Sequence, residues 1–148
     1  MLAKLNALLG LFADHPDQAE RTQLLLDYAD KFTDVPASVA TRPFDKAALV
    51  PHCESEAYVW AVPKGDGTLK LHFAVENPSG VSAKALAVML DRTLSGQPLE
   101  DVATVDPEIV EQIFRQNISM GKGMGLMSMV QRVQQLAKRA AEKTEKPS

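Results

Sequence analysis

A chain of 148 residues with 16 Lys and Arg against 19 Asp and Glu carries a net charge of −3. An acidic chain with aromatics at 5% has neither the basic footprint nor the stacking surface of a nucleic-acid binder. Its apolar runs, such as Leu86 to Leu90, fall far short of the roughly 20 residues that span a bilayer, so no membrane partner is expected.

The elements follow in chain order. Leu2, Leu5, Leu9 and Phe12 recur at helical spacing until Asp14-His15-Pro16 turns the chain. A second helix has Leu25, Tyr28, Ala29 and Phe32 on its apolar face and stops before Asp34-Val35-Pro36, because a residue preceding proline is pushed out of the helical region. Residues 34–54, punctuated by Pro36, Pro43 and Pro51, read as a long irregular connection with a short strand around Ala48 to Val50. Connections of that length in a small domain are usually functional.

A hairpin comes next. Tyr58, Trp60 and Val62 alternate with Ala57, Val59 and Ala61, then Pro63 to Gly67 turns the chain into Leu69, Leu71, Phe73 and Val75, which alternate with Lys70, His72, Ala74 and Glu76. Tyr58 and Trp60 are expected in the core. Ala83, Leu86, Leu90 and Leu94 mark a third helix stopped by Gly96. Asp106-Pro107-Glu108 places a capping side chain, a first-turn proline and an acid in series, opening a helix that turns Ile109, Val110, Ile113 and Phe114 inward. The last helix carries Leu126, Met129, Val130, Val133, Ala137 and Ala140 on one face, with Gly121 to Gly125 as a mobile lead-in and residues 142–148 as a frayed tail. Strands and helices are segregated, so the class is α+β: one domain over 1–148, a small antiparallel sheet packed against helices.

Chemistry points to Cys53, the only cysteine, at the junction of a Pro-containing loop and the first strand. One thiol forms no internal disulfide, and His15, His52 and His72 show no paired zinc-ligand spacing, so no metal site is expected. A lone thiol is either a small buried hydrophobe or a nucleophile. Being free, it fits a reducing compartment, and a cytoplasmic location is expected. Gly121-Lys122-Gly123-Met124-Gly125 lacks the spacing of a phosphate loop. His52 adjoins Cys53, but neighbouring side chains on an extended chain point apart, which argues against a Cys–His dyad. Met120, Met124, Met127 and Met129 could make an adaptable partner surface.

The letters around Cys53 decide between those readings. Val50, Pro51, Cys53, Ser55, Ala57 and Tyr58 resemble the sulfur-acceptor loop of the SufE family, which takes persulfide sulfur from a cysteine desulfurase for iron–sulfur cluster assembly. The resemblance spans roughly residues 20 to 140, through Ala83 to Leu86, the Gly96 to Asp101 turn and the glycine-containing segment before the last helix. Two positions depart. His52 stands where the family often has Gly, and Lys122-Gly123-Met124-Gly125 stands where it commonly has Arg-x-Asn-Gly. A lysine keeps the charge of that arginine and loses its fork.

The resemblance implies a SufE/IscU-like fold and a persulfide carrier, an accessory subunit of sulfurtransferase type rather than a stand-alone enzyme. Cys53 would accept sulfur from a SufS-type desulfurase, stimulate it and pass the sulfur to an iron–sulfur scaffold. Pyridoxal phosphate would belong to the desulfurase, and this chain would hold no cofactor. Glu54 and Glu56 disfavour a thiolate beside them, so a cation is required. Lys122 is the first candidate, at the matching arginine position, with Arg42 and His52 behind it; Arg42, Pro51, His52 and Ser55 form the supporting loop. If sulfur is sheltered between reactions, Cys53 should be mostly buried, in a pocket rimmed by residues 42–52 and 119–125. The alternative is a non-enzymatic binding or regulatory module of the same fold, with Cys53 structural or redox-sensitive. A monomer is the expected state.

Overall fold

The computed structural model describes residues 2–145. Helix α1 (Ala3–Ala13) buries Leu5, Leu8 and Phe12, and α2 (Gln18–Asp30) starts where the Asp17 side chain accepts the Glu20 N–H at 3.0 Å. The hairpin follows as β1 (Ala57–Pro63) and β2 (Leu69–Val75), paired antiparallel from Ala57 opposite Val75 to Pro63 opposite Leu69. Helix α3 (Val81–Leu94) lies at the centre and buries residues on almost every side, because β2, α1, α2 and the final helix all pack against it. Two short helices, α4 (Leu99–Val102) and α5 (Ile109–Phe114), lead to α6 (Met120–Glu145), whose 26 residues extend about 39 Å. Leu126, Met129, Val130, Val133 and Ala137 are its buried stripe. This is an α+β architecture with one two-stranded sheet among the described residues.

Four expectations change in detail. The short strand near Ala48 is a 3-10 turn over Lys46–Ala48 followed by one bridge between Leu49 and Tyr58, since a segment broken by Pro51 cannot extend the ladder. Tyr58 and Trp60 leave the core: Ala57 and Val59 face it opposite Val75 and Phe73, while the aromatics lie half-buried on the outer face. There Phe44 covers them, its ring 5.1 Å from Tyr58 and 5.0 Å from Trp60 between centroids. Gly121 to Gly125 are helical rather than a loop, because Ser119 caps the helix, its hydroxyl accepting the Lys122 N–H at 3.2 Å and its carbonyl the Gly123 N–H at 2.9 Å. The tail is helical through Glu145, and residues 146–148 lie outside the described residues. Among the described residues no helix is long and apolar enough to cross a membrane.

Candidate functional site around Cys53

The cysteine loop is a tight crossing held at both ends by backbone hydrogen bonds. Val50 N–H donates to Ala57 O at 2.8 Å, and Glu56 N–H turns back to Cys53 O at 3.1 Å. Between them, His52 and Glu56 take left-handed backbone conformations, with φ of 61° and 50°. A left-handed residue at 52 is the conformation glycine adopts most readily, which gives a backbone reason for the glycine that resembling sequences often carry there. The loop then docks on the start of the next connection, as Asn77 N–H donates to Ser55 O at 3.1 Å and Glu76 N–H to Glu56 O at 3.2 Å.

Two glycines let neighbouring backbone come close. A Cβ on Gly125 would sit 2.9 Å from His52 O and 3.2 Å from Cys53 Cα, and one on Gly80 would sit 2.7 Å from Val75 Cγ1 and 3.1 Å from Ser55 Cβ. The loop is therefore seated between the β2–α3 turn and the second turn of α6. Cys53 is half-buried and packs against the hydrophobic core. Beside it is a cleft of about 10 Å³, walled by Glu54, Ser79, Gly80, Ser82, Lys122 and Leu126. That is roughly the space of one water-sized atom.

Electrostatically the cleft is mixed. Glu54 supplies negative charge, and Lys122 supplies positive charge from the first turn of α6. The N-terminus of α3 adds partial positive charge, because Gly80 caps it without a side-chain hydrogen bond and both Gly80 and Ser82 line the cleft. The Ser79 hydroxyl is spent on Asn77 Oδ1 at 2.8 Å. Among the described residues, no group of three or more His, Cys, Asp and Glu side chains gathers as a metal site.

The structure brings together Cys53, Glu54, Ser55 and Lys122 of the residues singled out from the sequence, and keeps Arg42, Pro51 and His52 out of the cleft wall. Pro51 and His52 are exposed on the loop, shaping it through backbone. Arg42 is committed elsewhere: it bridges Asp34 at 2.8 Å and Glu76 at 2.7 Å and lies 4.7 Å from the Phe44 ring centre. Those two hydrogen-bonded carboxylates, Asp34 first, raise its pKa and fix the 34–44 segment to the end of β2. Hence the cleft is rimmed by the β2–α3 turn and α6, and not by residues 42–52 apart from the loop's own cysteine end. Ser79, Gly80 and Ser82 were not foreseen. Their only sequence signal, Asn77-Pro78-Ser79-Gly80, marks the end of a hairpin and says nothing of what packs on it.

Comparison with known proteins accords with this geometry. The sequence model of the SufE family, described as an Fe-S metabolism associated domain, matches residues 6–137. No curated protein matches the chain in sequence. Among solved structures, the solution structure of a hypothetical protein from Thermus thermophilus superposes with a TM-score of 0.72 at 28% identity, over 94% of this chain and 96% of that one. With its family match running from α1 into α6 and its fold shared almost end to end, the chain belongs to the SufE family, a domain family of iron–sulfur metabolism.

Proposed function

We propose that the protein is a sulfur acceptor that takes persulfide sulfur from a cysteine desulfurase onto Cys53 and delivers it to iron–sulfur cluster assembly. The observation that carries the reading is the cleft itself. A half-buried thiol faces a space for one further atom, with a lysine and a helix N-terminus in its walls.

In the forward step the Cys53 thiolate attacks the terminal sulfur of the partner's persulfide. A new S–S bond forms at Cys53, the partner's S–S bond breaks, and the partner leaves as a thiolate; the exchange is redox-neutral. Lys122 and the α3 N-terminus place positive charge beside the sulfur being transferred, against the field of Glu54. The cleft shelters that sulfur from solvent thiols. The donor is of the SufS type, with pyridoxal phosphate bound in the donor rather than in this chain. Clearing its persulfide stimulates turnover, and a downstream scaffold receives the sulfur.

The test is mass spectrometry of the protein after incubation with a SufS-type desulfurase and cysteine. Wild type is expected to gain one sulfur atom at Cys53, Lys122→Arg to gain it at a similar rate and Lys122→Glu more slowly, while Cys53→Ser folds normally, gains none and loses stimulation. Full stimulation by Cys53→Ser would exclude covalent transfer and leave the binding module.

A further inference from the structure

A second cavity, of about 590 Å³, opens between the α1–α2 corner and the α5–α6 connection and shares no residue with the cleft at Cys53. Its volume falls in the range of about 300–1,000 Å³ in which proteins hold small molecules.

Three features converge there. Arg115, directly after α5, takes φ 46° and ψ −122°, a left-handed backbone conformation that side chains rarely adopt and that costs about 1–3 kcal/mol. Its guanidinium is exposed in the cavity wall, and no described carboxylate lies within ion-pair distance of it, not even Glu111 one turn earlier in the same wall. Behind it is Arg21, 1% exposed, which donates to the carbonyls of Phe12, Gln112 and Ile113 and faces no carboxylate, with its Nε buried and unpartnered. Burial, and then the like charge of Arg115, lower the pKa of Arg21. Two cations held near one another, Arg115 on strained backbone, repel each other.

The rest of the wall is suited to a polar guest. Gln18, Gln112 and Gln116 line it and are exposed, while Asn117 spends its side-chain amide on Gln18 O and Thr22 Oγ1 and so fixes one edge. We infer that this cavity binds a small polar molecule through an oxyanion, a carboxylate or a phosphate, with Arg115 as the direct contact and Arg21 as fixed positive charge behind it. An anion would neutralise the repulsion between the two guanidiniums, and the left-handed backbone at Arg115 holds its side chain at the mouth. Glu111 is the one acid in the wall, so the arginines outnumber it.

The experiment uses sodium malonate and sodium phosphate as probes, each against sodium chloride at matched ionic strength, read by ¹⁵N–¹H NMR shifts and thermal unfolding. Malonate or phosphate is expected to shift amides in residues 18–21 and 111–117 saturably and to raise the melting temperature; whichever binds more tightly identifies the head group. Arg115→Gly relieves the backbone and removes the charge. It should melt higher than wild type in chloride, yet bind the probe at least tenfold more weakly, and Arg115→Gln should lose affinity equally without melting higher. Shifts equal to those in chloride, or Arg115→Gly keeping wild-type affinity, would overturn the site.

Discussion

Gly125 fixes how near the cysteine loop can come to α6. A Cβ there would press on His52 O and Cys53 Cα, both backbone atoms that cannot rotate away. Gly125→Ala is therefore expected to push the loop outward, costing roughly 1–3 kcal/mol of stability as overpacking does and speeding alkylation of Cys53 as the cleft opens. Gly121, one turn earlier in the same helix, has nothing within 4 Å of such a Cβ. Gly121→Ala should be neutral or stabilising by up to about 1 kcal/mol, since alanine loses less entropy in a helix. Urea unfolding of both variants, with labelling kinetics, checks the contrast: if the two behave alike, close approach is not what position 125 provides. Cys53 was visible as a lone thiol and Lys122 through the arginine position that it matches in the SufE resemblance, and both line the cleft. The serines of the β2–α3 turn were not visible, because they reach the thiol only through folding across more than twenty intervening residues. Arg42 illustrates the converse error: proximity in sequence suggested a charge for the thiol, and the side chain instead closes two ion pairs with Asp34 and Glu76.

Among the elements, the hairpin was legible in its extent, and its faces were not. β2 alternates apolar with polar residues, which fixes its inward side, but β1 is apolar on both sides, so its pattern cannot say whether the aromatics or the small residues turn inward. The pairing decides it: Val59 opposes Phe73 in the core, and Trp60 opposes His72 outside. The start of α6 was hidden for a related reason, because glycines read as helix breakers until Ser119 supplies a cap and the cysteine loop demands the small size of Gly125. His72 gives the outer face a pH dependence. Burial first, then repulsion by Lys70, lowers its pKa against the opposing pull of Asp91. A lowered value in the folded state means that the unfolded chain takes up the proton first as pH falls below about 6.5. Its contribution to stability is thus complete above that pH and is lost as pH falls toward the lower folded value. His72→Gln is expected to show a smaller drop in urea midpoint between pH 7 and pH 5 than wild type; equal drops would mean that the ring does not feel the hairpin.

At the scale of the whole molecule, the helices are joined through one buried guanidinium. Arg21 rises from α2 and donates to Phe12 O at the end of α1 and to Gln112 O and Ile113 O at the end of α5. These carbonyls belong to the last turns of their helices, where Phe12 O keeps one backbone partner, the His15 N–H at 3.2 Å, so one side chain helps to cap two elements. The negative ends of both helix dipoles offset part of the cost of a cation without a carboxylate in the interior. Its apolar neighbourhood includes the Phe12 ring, with the guanidinium carbon 5.4 Å from the ring centre. Arg21→Met keeps the volume and removes every donor, leaving those carbonyls without that partner. A loss of at least about 2 kcal/mol is expected, since the Gln112 and Ile113 carbonyls lose this donor and each unsatisfied buried group costs about 1–3 kcal/mol. For a domain of this size that lowers the melting temperature by about 6 °C. Arg21→Lys should recover part of the loss, because an ammonium keeps the charge but reaches fewer carbonyls than a fork. Calorimetric melting of the three proteins should rank wild type above Lys and Lys above Met; an Arg21→Met protein within about 1 kcal/mol of wild type would show that hydrophobic packing alone holds α1, α2 and α5 together.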